Sequence, residues 1–319
     1  MVRMNTAATA AAALMLVAAA PTVAEDFGPA RFGPDDERGA LNLLGPEKTL
    51  EAIQTVREGK TYSLALVTGP DTPGYPPRYY KSMVMMPAQP GGITYGRNEL
   101  RYMDEFVTAW PGVGTHFDGF AHITRGDVLY NDKPLSEVFD DQGVKAFGVE
   151  TIPPIVTRGV VLNVAGFRGV DMIDVVPGET GHLITVADLE GALAAAGTDL
   201  RPGDAVMVHT GWLPLIESDP QKFISLSPGL TADAGSWLAQ QGVAIVCTDQ
   251  WATDAVPFED PEVVFPVHQI FLVDYGVHHI QNCVSQELVD DGVTEFMFTL
   301  GVTRWKGLTQ MNVHPIGIR

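Results

Sequence analysis

Three side chains with the means to do chemistry sit close together in Gly114-Thr115-His116-Phe117-Asp118-Gly119-Phe120-Ala121-His122. In extended backbone, alternate side chains share a face, so His116 and Asp118 point the same way. A neutral imidazole beside a carboxylate is a natural pair of ligands for a hard-to-borderline metal ion. His122 has the same parity, although Gly119 can break the strand before it. The spacing equally suits a plain His–Asp hydrogen bond in a polar loop, and taken alone it leaves both readings open.

The elements that must position these residues are short and well punctuated. Helices are expected over Pro46 to Glu58, with Pro near its start and Gly59 as a stop, and over Thr185 to Ala196, opened by a Thr185/Asp188 capping-box pair and closed by Gly197. Two more are expected over Thr231 to Gln241 and Pro266 to Tyr275, each followed by glycine. Strand-like runs lie at Tyr62 to Val67, Gly159 to Val164, Ala205 to His209, Val243 to Thr248 and Glu295 to Val302. After Gly159, strands alternate with helices, which indicates an α/β fold with partly parallel pairing. The stretch from Thr68 to Glu99, rich in Pro, Gly and Tyr, reads as long excursions of the kind that cover binding sites.

The chain has 319 residues, 45% of them hydrophobic, enough for a packed core and too apolar for a disordered chain. Its 20 Lys and Arg against 39 Asp and Glu leave a net charge of −19, which argues against nucleic acid or an anionic membrane surface as partner. Arg3, the apolar stretch from Ala7 to Ala20 and the small residues of Pro21-Thr22-Val23-Ala24 have the pattern of a secretory signal, residues 1–24, cleaved after Ala24. The stretch is shorter than the roughly 20 residues that span a bilayer. A secreted or periplasmic mature chain, residues 25–319, is therefore expected to form one domain. Cys247 and Cys283 lack metal spacing and read as buried thiols more readily than as a bridge.

The signature loop resembles that of the metal-dependent cyclase family, which includes bacterial kynurenine formamidases and isatin hydrolases. The family pattern His-x-Gly-Thr-His-x-Asp-x-x-x-His is matched by Gly114, Thr115, His116, Asp118 and His122. The resemblance extends to Arg31-Phe32-Gly33-Pro34-Asp35-Asp36-Glu37-Arg38-Gly39-Ala40-Leu41-Asn42, to Pro202-Gly203-Asp204 with His209-Thr210-Gly211-Trp212, and to Thr309–Ile318, and so covers nearly the whole mature chain. It implies a mixed, barrel-like central sheet with surrounding helices, assembly into a homodimer or homotetramer, and hydrolysis of a small amide or lactam. Two departures stand out. The family's first histidine falls at Gly112, and its later Glu ligand falls at Gln281. What remains is one divalent ion, Mn²⁺ or Zn²⁺, held by His116, Asp118 and Gln281 or His268, with His122 as general acid/base.

Phe106, Trp110, Phe117 and Phe120 would give a flat apolar wall beside the ion, suited to an aryl amide or a benzo-fused lactam, while core packing explains Phe117 equally well. His209 and Trp212 could line the pocket, or His209 could be a hydrogen-bonded core histidine. His278 and His279 must face opposite ways in a strand, so at most one reaches the site. Asp249 and Asp254 flank Trp251 as a pocket rim would, although turn capping explains them as well. Two other functions stay open. Gly112 and Gln281 suit an exported binding protein that has lost turnover, and the same fold can open lactones or close rings.

Overall fold

The computed structural model describes residues 31–85 and 94–319. The expected signal segment 1–24 and its cleavage point lie outside the described residues. Nine strands form one sheet: β1 (Thr61–Ser63), β2 (His116–Asp118), β3 (Ile155–Asn163), β4 (Ala205–His209), β5 (Ile245–Thr248), β6 (His278–Gln281), β7 (Glu295–Leu300), β8 (Gln310–Asn312) and β9 (Ile316–Ile318). Their order across the sheet is β1-β9-β7-β3-β4-β5-β6-β2-β8. The four central strands β3 to β6 run parallel, and every pairing outside them is antiparallel. The sheet is mixed and curls into a half-barrel with helices around it, the expected fold class.

Both faces of the central strands are buried, which is why they read as continuous apolar runs. Val161, Ala205, Met207, Ile245 and Cys247 pack into one core, and Val160, Leu162, Val206, Val208 and Val246 into the other. The second core is covered by α2 (Val186–Ala196), α3 (Ala232–Gln240) and α4 (Pro266–Gln269), which widens into a π-helical turn over Ile270–Tyr275. The capping box of α2 is present, with Thr185 and Asp188 bonding reciprocally, and Thr231 caps α3. α1 (Pro46–Ile53) ends sooner than its periodicity suggests, since Gln54 to Val56 form turns instead.

One buried ion network ties α1 to the sheet. Asp204, fully buried just before β4, accepts from Lys48 Nζ at 2.6 Å and from Arg158 Nη2 at 2.6 Å. Cys247 and Cys283 are buried and unbridged.

The Thr68–Glu99 excursion contributes a strand, Tyr80–Met85, that pairs with Asp104–Ala109 in a separate ribbon. Met83, Val84, Phe106 and Val107 are exposed on it. Among the described residues no helix is long and apolar enough to cross a membrane.

Candidate metal centre

Register brings the centre together. In β2, Phe117 points into the first core, so His116 and Asp118 face the other side, toward α4. β6 lies antiparallel to β2 with His279 opposite Asp118 and Gln281 opposite His116. On the other flank β8 sets Gln310 opposite Asp118 and Asn312 opposite His116. Ile280 and Met311 share the core with Phe117, so the polar residues of all three strands line one face.

Asp118 is the hub, and it is fully buried. Its Oδ2 accepts from His279 Nε2 at 2.7 Å and its Oδ1 from Gln310 Nε2 at 2.6 Å. His116 Nε2 lies 3.7 Å from Oδ1, and His268 Nε2, reaching in from α4, lies 3.9 Å from Oδ2. Burial opposes ionisation of Asp118, but the ring of His122, His116 and His279 holds its carboxyl well below the usual range. Burial pushes the His116 and His279 imidazoles the opposite way, below the ordinary histidine value.

The outer contacts fix which nitrogen faces inward. His116 Nδ1 is 2.8 Å from the Gly114 carbonyl, to which it must donate, leaving a lone pair on Nε2. That Nε2 is buried without any hydrogen-bond partner. His268 Nδ1 is 2.5 Å from Asp254 Oδ2, while Asp254 Oδ1 accepts from the Val267 amide at 2.7 Å at the start of α4. Asp254 therefore both caps the helix and turns the Nε2 lone pair of His268 toward Asp118. A carboxylate behind a histidine in this way is the usual support of a metal ligand. Ligand atoms of Asp118, His268 and His279 lie within 4.8 Å of one another. An orphaned, inward-facing imidazole nitrogen and a carboxylate-backed histidine around one ionised carboxylate are a donor set that fits a divalent cation.

His122 stands at the mouth of the centre. Gln310 Nε2 must donate to Asp118, and its second N–H meets His122 Nε2 at 3.2 Å, which leaves the His122 proton on Nδ1. Burial, reinforced by His268 and Arg78 against the pull of Asp118, lowers His122 to about 4. It is neutral at neutral pH. His122, His268 and Gln281 open onto a cavity of about 120 Å³ whose other walls include Tyr75, Arg78, Trp251 and Phe265. Tyr75 stacks on Trp251 with centroids 5.0 Å apart, and Phe265 meets both rings edge-on.

The structure thus brings together His116, Asp118, His122, His268 and Gln281. Gln281 sets its amide 3.1 Å from His268 Nε2. The expected aromatic wall is not the one that forms. Phe106 is 63% exposed on the ribbon, and Trp110, just beyond it, is 45% exposed. Phe120 is buried behind the centre, stacked on His278 at 4.1 Å. Trp212 is fully buried and donates to the Phe223 carbonyl. His209 bonds Ser285 and lines a different cavity with Leu66, Leu213 and Ile216. His279, Gln310 and Arg78 were not among the expected site residues. Of the two adjacent histidines only His279 reaches the Asp118 carboxylate, as strand alternation requires, while His278 Nδ1 meets the Asp118 backbone carbonyl at 3.0 Å. Asp249 is a turn cap, accepting from the Thr210 and Gly211 amides.

Comparison with known proteins agrees with this fold. A solved structure described as a novel cyclase is 28% identical, with a TM-score of 0.80 over 91% of this chain and 96% of its own. Isatin hydrolase A from Ralstonia solanacearum shares the fold at 18% identity and TM-score 0.60, over 82% of this chain and 92% of its own. Isatin hydrolase A from Labrenzia aggregata does so at 18% and 0.57, over 83% and 94%. No curated protein matches. The Cyclase family model matches residues 62–255, a span that holds the whole signature loop and Asp254. With more than half of its length so matched, the chain belongs to the Cyclase family.

Proposed function

We propose that this chain is a metal-dependent hydrolase that opens a cyclic or aryl amide, such as an isatin-like lactam or an N-formyl aryl amine. The observation that carries the reading is the inward lone pair of the buried His116 Nε2, left unpartnered beside an ionised carboxylate. His116, Asp118 and His268 would hold the ion, joined by His279 once it gives up its Nε2 proton, and the ion when bound polarises a carbonyl and acidifies water. Nitrogen and oxygen donors without thiolate suit Mn²⁺ or Zn²⁺.

The chain's own residues supply the rest. His122 is neutral, so its lone pair can take a proton from the attacking water, and the imidazolium so formed can pass a proton from Nδ1, the nitrogen that Gln310 leaves free, to the departing nitrogen. Gln310 fixes that tautomer while it neutralises one edge of Asp118. Tyr75, Trp251 and Phe265 offer a flat wall for an aromatic ring and keep the mouth dry. The name isatin hydrolase carried by two structural neighbours supports a lactam as the first substrate to try. The apolar N-terminal segment supports export, and the exposed apolar ribbon supports a dimer or tetramer.

Gly112, which offers no ligand, favours one second reading, a binding protein without turnover. Chelation followed by refilling with Mn²⁺ or Zn²⁺, with isatin and formanilide hydrolysis as readout, separates the two. The hydrolase reading expects a rate that disappears with the metal and returns with it. The absence of any rate in the refilled protein supports the binding protein.

A further inference from the structure

We propose that Arg78 is the recognition point for a carboxylate on the substrate, so that the cavity selects a flat aromatic ring bearing an anionic group. The inference rests on the hydrolase reading for what happens to that substrate, but not for its binding.

Arg78 lines the same cavity as His122, His268 and Gln281, facing the wall of Tyr75, Trp251 and Phe265. Its hydrogen bond is a long one, Nη1 to the Gly112 carbonyl at 3.5 Å, and it has no carboxylate partner among the described residues. In a chain with nearly twice as many acids as bases, a half-buried guanidinium without an acid is out of keeping with its surroundings. The half-buried Arg168 is clasped by Asp188, and the fully buried Arg158 by Asp204 and Glu295.

Gly112 makes room for the group. A Cβ at position 112 would lie 2.3 Å from Arg78 Nη1 and 2.9 Å from Cζ, so any side chain there would displace the guanidinium. Asn312 clamps the loop around Gly112, donating to the Pro111 and Val113 carbonyls, and so holds that space open. The place where the sequence lacks a ligand is thus filled by a planar cation with free N–H donors. A guanidinium matches a carboxylate in two parallel hydrogen bonds, and partial burial spares that pair much of the screening of open water. The substrate's aromatic ring lies on the wall while its anion meets Arg78.

The test compares benzoate with its neutral counterpart benzamide by calorimetric titration, on chelated and on metal-refilled protein. Because a bound ion also attracts a carboxylate, wild type and variants are compared within each form. The expected result is benzoate binding about tenfold tighter than benzamide in the chelated wild type, the usual size of a charge-assisted contact. R78M should bring that ratio to about one with benzamide binding unchanged, R78K should keep part of it, and G112A should lower it by pushing the guanidinium aside. R78Q with a wild-type melting curve serves if R78M does not fold. A wild type without the preference, or a preference that survives R78M or R78Q, overturns the proposal. An absence of isatin turnover in wild type would sink the hydrolase reading while leaving this ratio intact.

Discussion

Replacing Asp254 by Asn tests how the centre is built, because the change is nearly isosteric and 254 is not itself a ligand. Asp254 accepts twice, from His268 Nδ1 at 2.5 Å and from the Val267 amide at 2.7 Å. An asparagine can accept only once at these two places. If its NH₂ faces Val267, two donors oppose each other and the start of α4 loses its cap. If it faces His268, the imidazole must move its proton to Nε2, and the lone pair aimed at Asp118 is lost. In the first case the turn that carries His268 loosens, and in the second its lone pair turns away from the centre. Loss of such a supporting carboxylate typically weakens metal binding about 10- to 100-fold, or about 1.4–2.7 kcal/mol. Competition for Zn²⁺ against a chelating dye measures this directly, with circular dichroism to show that the fold is kept. Affinity within about twofold of wild type in a folded D254N protein would refute the reasoning, since the tautomer of His268 would then not matter.

Three further outcomes follow from other parts of the molecule. H122A should lose turnover by about 10²–10⁴-fold while its metal content, measured by mass spectrometry, stays that of wild type; unchanged turnover would remove His122 from its role. D204A leaves Lys48 and Arg158 buried without their shared carboxylate and should cost about 3–5 kcal/mol in urea unfolding, whereas a loss under about 1 kcal/mol would show the network to be solvated. Asp188 is opposed by burial but held down to about 2 by Arg168 and Thr185. Its contribution, about 1 kcal/mol after solvent screening, is present above the unfolded carboxyl value near 4 and is lost as pH falls toward 2. The melting-point gap between wild type and D188A should therefore close between pH 5 and about 2, and a gap independent of pH would contradict it.

Local patterns were the legible part of this chain. The His116/Asp118 parity, the Thr185 capping box and the apolar runs of β4 and β5 each depend on residues a few positions apart. The partners of Asp118 were not legible, because His279 and Gln310, 161 and 192 residues away, become its neighbours only through antiparallel register across three strands. A His-His-Ile-Gln run shows that one histidine can reach a site, but not which carboxylate it meets. The aromatic wall went astray for a related reason. Phe106 and Trp110 stand close to the signature in sequence, yet they belong to a ribbon that leaves the body. Tyr75 and Phe265 come from distant segments that fold over the mouth. Gly112 read as an absence, since nothing in its own neighbourhood announces that Arg78 occupies the space.

The proposed activity depends on a cation seated between imidazole and carboxylate at Asp118. Anomalous diffraction from crystals grown with Zn²⁺ or Mn²⁺, collected on both sides of the metal's absorption edge, tests this most directly. A peak is expected within bonding distance of the Asp118 carboxylate and His268 Nε2, absent in D118A. A map with no peak there, in protein that carries the metal elsewhere or not at all, would contradict it.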